Sequence, residues 1–232
     1  MSNIAVITAR GGSKRIPRKN IREFCGKPII AYSIEAAIES RLFDEVMVST
    51  DDIEIADVSK RYGAAVPFFR SKETSDDFAT TMDVLNEVVA EYESRGVRYE
   101  YLCCLYPTAP FVTPSRMKES FEIITGTSSD RFVPVVRYEC PPQWCSYIDE
   151  SGYLIHCFPE YINMRSQDLK PMYYDAGQFY WFNIENCFLK KNKDQKICTM
   201  VLSNLETQDI DNELDWDVAE IKYKLNNDNK NT

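Results

Sequence analysis

Short hydrophobic runs alternate along the chain with longer segments whose apolar residues recur at helical spacing. The runs are rich in β-branched residues and predict buried strands, whereas proline, aspartate and glycine punctuate the helical segments. Strands are predicted at residues 3–9, 45–50, 99–105, 132–137, 178–183 and 199–202, and helices at 28–40, 52–62, 78–96, 115–124 and 212–225. This alternation predicts an α/β fold with a doubly wound, mostly parallel, Rossmann-like sheet.

The pattern breaks between residues 139 and 171. That segment contains prolines and scattered aromatic residues with no clear period, and we interpret it as an arm inserted into the domain. A polar tail follows the last predicted helix and is expected to fray. The sequence therefore predicts a single domain over residues 1–232, with an inserted arm.

Basic side chains are concentrated near the N-terminus. The chain of 232 residues has a formal net charge of −9, yet residues 10–27 contain seven basic side chains and one acidic side chain. An acidic protein with one basic loop is suited to hold a small anion and not to coat nucleic acid. No apolar run approaches the about 20 residues that a membrane helix needs. The basic residues follow the first apolar run, which is the reverse of a secretory signal, so we expect a cytoplasmic protein.

The eight cysteines are too sparse in a chain of this length to indicate a disulfide scaffold. Cys140 and Cys145 have a spacing loosely like that of zinc ligands, but no second pair follows them and His156 is the only histidine. The single histidine also argues against a histidine-based catalytic triad.

A basic loop with two glycines, residues 10–20, directly follows the first predicted strand. Ligands of open α/β sheets bind beyond the carboxyl ends of the strands, so this loop is expected at a binding edge. Glycines let the backbone approach a ligand and direct N–H groups at an anion. The loop lacks the Walker pattern, and the alternative is a basic surface loop without a role in binding. Its candidate triphosphate ligands are Arg10, Gly11, Gly12, Ser13, Lys14, Lys19 and Asn20.

An acidic pair, Asp209 and Asp211, precedes the last predicted helix. Residues two apart on an extended segment face the same side, so the two carboxylates can meet at one point. Oxygen ligands of this kind suit Mg²⁺, which commonly takes one or two carboxylates together with phosphate oxygens and water. The alternative is that Asp211 only caps the helix.

Two further segments add candidate substrate contacts that are weak when taken alone. Residues 70–81 contain Arg70, Asp77 and Thr81, and Asp77 is a plausible N-cap of the following helix. Residues 173–181 mix aromatic and polar side chains in a way that suits a sugar, although aromatic residues in a strand more often belong to the core.

Together these segments resemble the CMP-sugar synthetases, the cytidylyltransferases that activate sialic acids and related 2-keto acids. The resemblance covers nearly the whole chain and is most specific at residues 9–20 and at the acidic pair. It implies that the anomeric hydroxyl of an acidic nine-carbon sugar attacks the α-phosphate of CTP and releases pyrophosphate. It also implies Mg²⁺ on Asp209 and Asp211, with one of the two aspartates also taking up the proton, a role for which Asp211 is the first candidate. Arg10 and Lys14 would stabilise the charge of the leaving group.

The same resemblance suggests which residues hold the two substrates. Positions near the nucleotide are Asn20, Arg70, Asp77 and Thr81, and positions lining the sugar pocket are Tyr106, Gln178 and Tyr180. Members of the family are usually homodimers that exchange the inserted arm, so a homodimer is implied here.

Two positions differ from the sialic acid members of the family. Those members typically have glutamine before a Pro-Thr-x-Pro turn, where this chain has Tyr106, and Asn-Gly-Ala-Ile-Tyr where it has residues 176–180. Both variants resemble the branch that uses pseudaminic acid, a deoxygenated di-N-acylamino relative of sialic acid, for surface glycans or flagellin. The alternatives are a sialic or legionaminic acid enzyme, a sugar-1-phosphate nucleotidyltransferase, and a non-catalytic nucleotide-binding protein of the same fold.

Overall fold

Strands and helices alternate over residues 1–228, the part of the chain that the computed structural model describes. None of the helices in this part combines the length and the hydrophobicity that a membrane span needs. The polar tail was expected to fray, but its first residues continue the last helix to Asp228, and the rest lies outside the described residues.

The strands are β1 (Asn3–Thr8), β2 (Glu23–Phe24), β3 (Lys27–Pro28), β4 (Glu45–Ser49), β5 (Tyr101–Leu105), β6 (Arg131–Arg137), β7 (Ser146–Ile148), β8 (Leu154–His156), β9 (Tyr173–Asp175), β10 (Phe179–Asn183) and β11 (Ile197–Leu202).

Helices cover both faces of the central sheet, as the doubly wound prediction requires. The helices are α1 (Ile29–Ser40), α2 (Ile53–Arg61), α3 (Thr81–Ser94), α4 (Pro114–Thr127) and α5 (Glu213–Asp228). On one face α1 and α4 contribute Ile34 and Met117 to a buried cluster, and on the other α3 contributes Leu85. Strand β1 supplies Ile7 to the first cluster and Val6 to the second. Burial on both faces explains why the strand is a continuous apolar run.

The sheet is mostly parallel, with one antiparallel line near its middle. Its order is β11-β6-β10-β5-β1-β4, and β9 also pairs with β6. β1 is parallel to β4 and β5, and β6 is parallel to β11, whereas β10 is antiparallel to both of its neighbours. β9 is antiparallel to the end of β6 and lies three residues before β10. β9 and β10 therefore form one interrupted line, and β10 begins at the carboxyl edge of the parallel strands.

The arm contains more regular structure than the sequence predicts. β7 and β8 pair as an antiparallel hairpin separate from the main sheet, with Ser146 opposite His156. The absence of a period had indicated irregular structure, which is wrong for this hairpin. Ile148 and Leu154 are 71% and 62% exposed, so burial imposes no alternation of apolar and polar positions on the two strands.

Helix α3 begins later than predicted, at Thr81. The Thr80 hydroxyl accepts a hydrogen bond from the Asp83 N–H, and the Asp83 carboxylate accepts one from the Thr80 N–H, which forms a capping box. The interpretation of Asp77 as the N-cap is therefore wrong. Phe78, which the periodicity placed on the apolar face of this helix, precedes it and is 91% exposed.

A third buried cluster joins the last helix to the basic loop. Trp216 of α5 is 2% exposed and packs edge-on against Phe24, with ring centroids 5.5 Å apart. The Arg22 guanidinium lies 4.5 Å from the Trp216 ring centroid and donates to both carboxylate oxygens of Glu213. This packing fixes the start of α5, and with it the acidic pair, beside the basic loop.

Candidate functional site

A cleft opens at the carboxyl ends of β1 and β5. From β1 the chain continues to β4, towards one edge of the sheet, and from β5 it continues to β6, towards the opposite edge. The cleft therefore lies at the switch point where α/β sheets bind ligands. Its volume is about 580 Å³, which suits a small-molecule substrate. The predicted site residues that line it are Arg10, Ser13, Lys14, Lys19, Asn20, Asp77, Thr81, Tyr106, Asp209 and Asp211.

Arg10 and Lys14 both form ion pairs with Asp77 in the cleft. The Arg10 guanidinium donates to one Asp77 carboxylate oxygen at 3.0 Å and to the Asp76 carbonyl at 2.7 Å. The Lys14 ammonium donates to the other Asp77 oxygen. The hydrogen bond and charge of Lys14, together with Arg10, hold the pKa of Asp77 below its usual range. A carboxylate of the protein itself, that of Asp77, thus binds the two cations that the sequence assigns to a triphosphate.

Gly11 is required for close packing against the start of α2. A Cβ added at Gly11 would lie 2.8 Å from an Asp52 carboxylate oxygen. The Gly11 N–H donates to Asp51 Oδ1 at 2.8 Å. Neither Gly11 nor Gly12 lines the cleft. The sequence predicts that both glycines direct N–H groups at a ligand. The structure differs, because the Asp51 side chain already accepts the hydrogen bond of the Gly11 N–H.

Lys19 and Asn20 fix the basic loop to its surroundings. The Lys19 ammonium donates to the Ile210 carbonyl, between the two aspartates of the acidic pair, at 2.6 Å. Burial lowers the pKa of Lys19, and the two neighbouring aspartates oppose that shift. The buried Asn20 amide donates to the Arg10 carbonyl at 2.9 Å. One lysine therefore ties the basic loop to the acidic pair.

Asp209 and Asp211 both line the cleft. Asp211 forms an ion pair with Arg15 at 2.7 Å. Burial, and then the charge of Asp211, raise the pKa of Asp209, as expected for a carboxylate whose charge is incompletely balanced. Asn212 caps α5, since its side chain accepts from the Asp215 N–H at 3.1 Å. The alternative that Asp211 serves only as this cap therefore does not describe the helix start.

The donor set of the acidic pair fits Mg²⁺ chemically. Within residues 1–228, no group of three or more histidine, cysteine and acidic side chains gathers into a complete protein cage for a metal. Mg²⁺ does not need such a cage, because it is commonly held by one or two carboxylates and keeps its other positions for phosphate oxygens and water. The raised pKa of Asp209 indicates that an added positive charge would be favourable beside it.

Tyr106 lines the cleft and connects it to two residues behind. Its ring meets the Tyr180 ring edge-on, with centroids 5.4 Å apart. The Tyr180 hydroxyl donates to Asp175 Oδ1 at 2.9 Å, and the same oxygen accepts from the Gly177 N–H at 2.8 Å. Burial raises the pKa of both tyrosines, so both hydroxyls stay protonated at neutral pH.

Three of the predicted substrate contacts, Arg70, Gln178 and Tyr180, lie behind the cleft instead of lining it. The buried Arg70 guanidinium donates to the Ser49 carbonyl at 2.7 Å and to the Ser49 hydroxyl at 3.1 Å. The Gln178 amide donates to the Glu206 carbonyl at 2.5 Å. These side chains therefore support the ends of strands that border the cleft.

A cytidylyltransferase family model matches residues 4–208. The chain belongs to the cytidylyltransferase family. Among the relatives of this cytidylyltransferase, the pseudaminic acid cytidylyltransferase of Campylobacter jejuni is 39% identical, over 98% of this chain and 99% of that protein. The CMP-N,N'-diacetyllegionaminic acid synthase of Legionella pneumophila is 34% identical, over 97% of this chain and 98% of that protein.

Two solved enzymes share the fold of this cytidylyltransferase. A CMP:2-keto-3-deoxy-manno-octonic acid synthetase in complex with CTP has a TM-score of 0.70 at 15% identity, covering 98% of this chain and 100% of that one. The 4-diphosphocytidyl-2C-methyl-D-erythritol synthase of Anaerococcus prevotii has a TM-score of 0.65 at 13% identity, covering 96% and 98%. The predicted Rossmann-like fold of the nucleotidyltransferases is thereby confirmed.

The cytidylyltransferase site contains residues that the sequence did not single out. Arg15 pairs with Asp211, Asp51 accepts from the basic loop, and Asp175 accepts from Tyr180. Arg15 is one of several cations in its loop, so composition alone gave no reason to choose it. Asp51 follows β4, and its position just beyond the carboxyl end of that strand is the signal that was missed.

Proposed function

We propose that this cytidylyltransferase transfers CMP from CTP to pseudaminic acid and releases pyrophosphate. The observation that carries the proposal is that Lys14 and Asp211 line the same cleft. Nucleotidyl transfer needs cations for the phosphates and carboxylates for a metal ion around one triphosphate. The Campylobacter jejuni relative, matched over nearly the full length of both chains, supports pseudaminic acid as the sugar.

In the proposed reaction, the anomeric hydroxyl oxygen of the sugar bonds to the α-phosphorus of CTP. The bond between that phosphorus and the bridging oxygen breaks, and pyrophosphate leaves. When CTP binds, Arg10 and Lys14 exchange their ion pairs with Asp77 for the phosphate oxygens that later leave as pyrophosphate. Fixed charges aimed at the place where negative charge develops lower the barrier, because they need little reorganisation during the reaction.

Asp209 and Asp211 would hold Mg²⁺, which when bound supplies positive charge to the phosphates and acidifies the attacking hydroxyl. Lys19 keeps the acidic pair at a fixed distance from the basic loop through the Ile210 carbonyl. Asp211 takes up the proton of the sugar hydroxyl. Arg15 holds Asp211 in place while the substrates bind.

We assign the sugar to the Tyr106 side of the cleft. A tyrosine edge suits the methyl groups and deoxygenated carbons of pseudaminic acid better than an amide does, because it offers apolar contact together with one hydroxyl. Tyr180 supports the Tyr106 ring from behind, and Gln178 secures the start of β10 through the Glu206 carbonyl.

A sugar panel tests the assignment. Pyrophosphate release from CTP and Mg²⁺ is measured with pseudaminic, legionaminic and sialic acid and with hexose-1-phosphates. We expect kcat/KM to be highest with pseudaminic acid, at least about tenfold above the other nonulosonic acids, and no turnover of hexose-1-phosphates. Faster turnover of legionaminic acid, which the Legionella pneumophila relative makes a specific alternative, would replace the sugar but keep the reaction. Binding of CTP without turnover of any sugar would leave only a nucleotide-binding protein.

The acidic pair is tested by Asp211→Ala. We expect turnover to fall by several orders of magnitude while CTP still binds, because the side chain acts on the reacting atoms and not on the base. Asp217→Ala is the matched control, since Asp217 is an exposed aspartate on α5, the helix that follows Asp211. Near-normal turnover in Asp211→Ala would remove Asp211 from the mechanism.

We also propose that the protein is a cytoplasmic homodimer joined through the arm. The arm exposes large apolar side chains, among them Tyr147, Ile148, Tyr153, Leu154 and Phe158. Extended apolar surfaces of this kind mark protein contacts more often than free surface. A two-fold dimer that buries the same surface of both copies is the commonest solution.

A further inference from the structure

The arm hairpin brings two exposed cysteines opposite each other. Cys145 precedes β7 and Cys157 follows β8, one step beyond the Ser146–His156 pair. The Cys157 N–H donates to the Cys145 carbonyl at 3.0 Å, so the ladder continues through both residues. The neighbouring Cys145 thiol raises the pKa of Cys157. Cys140 is also exposed in the arm but lies outside this ladder.

The hairpin has little packing to stabilise it in the free chain. Tyr147, Ile148 and Leu154 are 55%, 71% and 62% exposed. A two-stranded hairpin without a buried face is marginally stable in water. A covalent link at its base would supply a constraint that side-chain packing within one chain does not.

We propose that Cys145 and Cys157 form a reversible dithiol–disulfide site whose oxidant is a low-molecular-weight disulfide. Residues opposite each other in an antiparallel ladder have Cα atoms roughly 5 Å apart, within the range that a disulfide spans. The link closes a loop around residues 146–156 and fixes the pairing of β7 with β8.

The exchange proceeds in two steps. In the first step a thiolate of the pair, written here for Cys145, attacks the small disulfide. It bonds to one sulfur of the small disulfide, the disulfide bond breaks, and the first small thiol leaves with a proton. The Cys157 thiolate then attacks Cys145 Sγ, which forms the Cys145–Cys157 bond and releases the second small thiol with the proton from Cys157. Two protein thiols are oxidised and one small disulfide is reduced to two thiols.

The cysteines of the sheet provide an internal comparison. Cys103 and Cys104 of β5 are fully buried, and burial raises the pKa of Cys104 to about 12. A buried thiol of this kind reacts slowly because little thiolate forms and reagents do not reach it. Oxidation is therefore expected at the arm first, without loss of the folded sheet.

The full-length reduced protein is incubated with oxidised glutathione at graded ratios to reduced glutathione and examined by intact mass and peptide mapping. We expect the loss of two hydrogen atoms, a peptide link between Cys145 and Cys157, and reversal by dithiothreitol. Cleavage by protease within the hairpin should slow by about tenfold or more on oxidation, because a short closed loop restricts local opening. This result does not depend on CTP or sugar turnover.

Three serine variants decide the assignment. Cys140→Ser should still form the link, whereas Cys145→Ser should not. Cys157→Ser should retain one glutathione on Cys145, because the resolving thiol is missing. Independent glutathione adducts on all three arm cysteines, a link that survives Cys145→Ser, or a covalent dimer on a non-reducing gel would each overturn the proposal.

Discussion

Asp52 stabilises the start of α2 in two separable ways. Its carboxylate accepts from the Ile55 N–H at 3.0 Å and pairs with Arg18 at 2.5 Å. The hydrogen bond from Arg18 holds the pKa of Asp52 below its usual range. An asparagine can keep the capping acceptor while it removes the charge.

Asp52→Asn is therefore expected to lower the free energy of unfolding near neutral pH by about 1 kcal/mol. Because the folded pKa of Asp52 is depressed, its charge stabilises the protein above the unfolded pKa of about 4. That contribution disappears as the pH falls through the folded value. Urea unfolding of both proteins between pH 7 and pH 3 measures the difference, which should shrink towards the acid end. A difference that is constant over this range would show that the Arg18 pair is not its source.

In the proposed reaction, Asp77 competes with CTP for two cations of the basic loop, Arg10 and Lys14. Asp77→Asn removes the carboxylate that pairs with Arg10 and Lys14, so we expect CTP to bind a few-fold more tightly in the absence of sugar. Calorimetric titration with CTP and Mg²⁺ measures the change. The matched control is Asp76→Asn, because the neighbouring Asp76 contacts Arg10 through its carbonyl only. Weaker binding in Asp77→Asn would instead assign Asp77 to direct contact with the nucleotide.

The residue types of the site could be predicted from the sequence, but their pairing could not. The basic loop and the acidic pair were recognisable because cations, glycines and carboxylates follow strand ends. The ion pairs of Asp77 with Arg10 and Lys14 join positions more than 60 residues apart in the chain. They depend on where α3 begins, and the capping box at Thr80 and Asp83 is the local signal that would have placed it.

At the scale of elements, the acidic pair is positioned by the packing of α5. Trp216→Ala is expected to cost about 3–5 kcal/mol, since it removes a buried aromatic ring from the cluster with Phe24 and Arg22. It should also lower kcat, because the start of α5 loses its fixed place beside the basic loop. Chemical unfolding and pyrophosphate release measure the two effects. Trp216→Phe is the conservative control and should restore most of both.

A loss of stability without any change in kcat would contradict this coupling. The acidic pair would then be held mainly by Lys19, through the Ile210 carbonyl, and not by the helix.

The directions of the elements were harder to predict than their existence. Residues Phe179–Asn183 form a buried apolar run that predicts a strand. Such a run does not indicate whether the strand is parallel or antiparallel to its neighbours. β10 is antiparallel because the chain returns from the arm to the carboxyl edge of the sheet. The hairpin of the arm was missed because neither face is buried by the rest of the chain.

At the scale of the whole molecule, the arm determines assembly in the proposed dimer. Ile148→Asp together with Leu154→Asp is expected to shift the protein towards monomer, because two charges would enter an apolar contact. Sedimentation velocity over a range of protein concentrations measures the shift. Ile221→Asp is the control, since Ile221 is 60% exposed on α5, outside the arm. Unchanged association in the double variant would place the contact elsewhere.

The overall architecture followed from the sequence because the central strands and the helices that cover them carry clear hydrophobic patterns. Burial of β1 and β5 on both faces leaves a continuous apolar run, which is typical of parallel strands. The arm was visible only as an interruption, since burial within the chain imposes no period on its exposed residues.

The interrupted line of β9 and β10 has a mechanical consequence. The chain leaves the arm, enters the sheet at Tyr173, and reaches Tyr180 within seven residues, with a bend at residues 177–178, where Gly177 has a φ of 65°. The arm is therefore joined by a short segment inside the sheet to Asp175 and Tyr180, which support the Tyr106 ring in the cleft. In the proposed dimer, a second copy that contacts the arm would be linked through this segment to the proposed sugar side of the cleft.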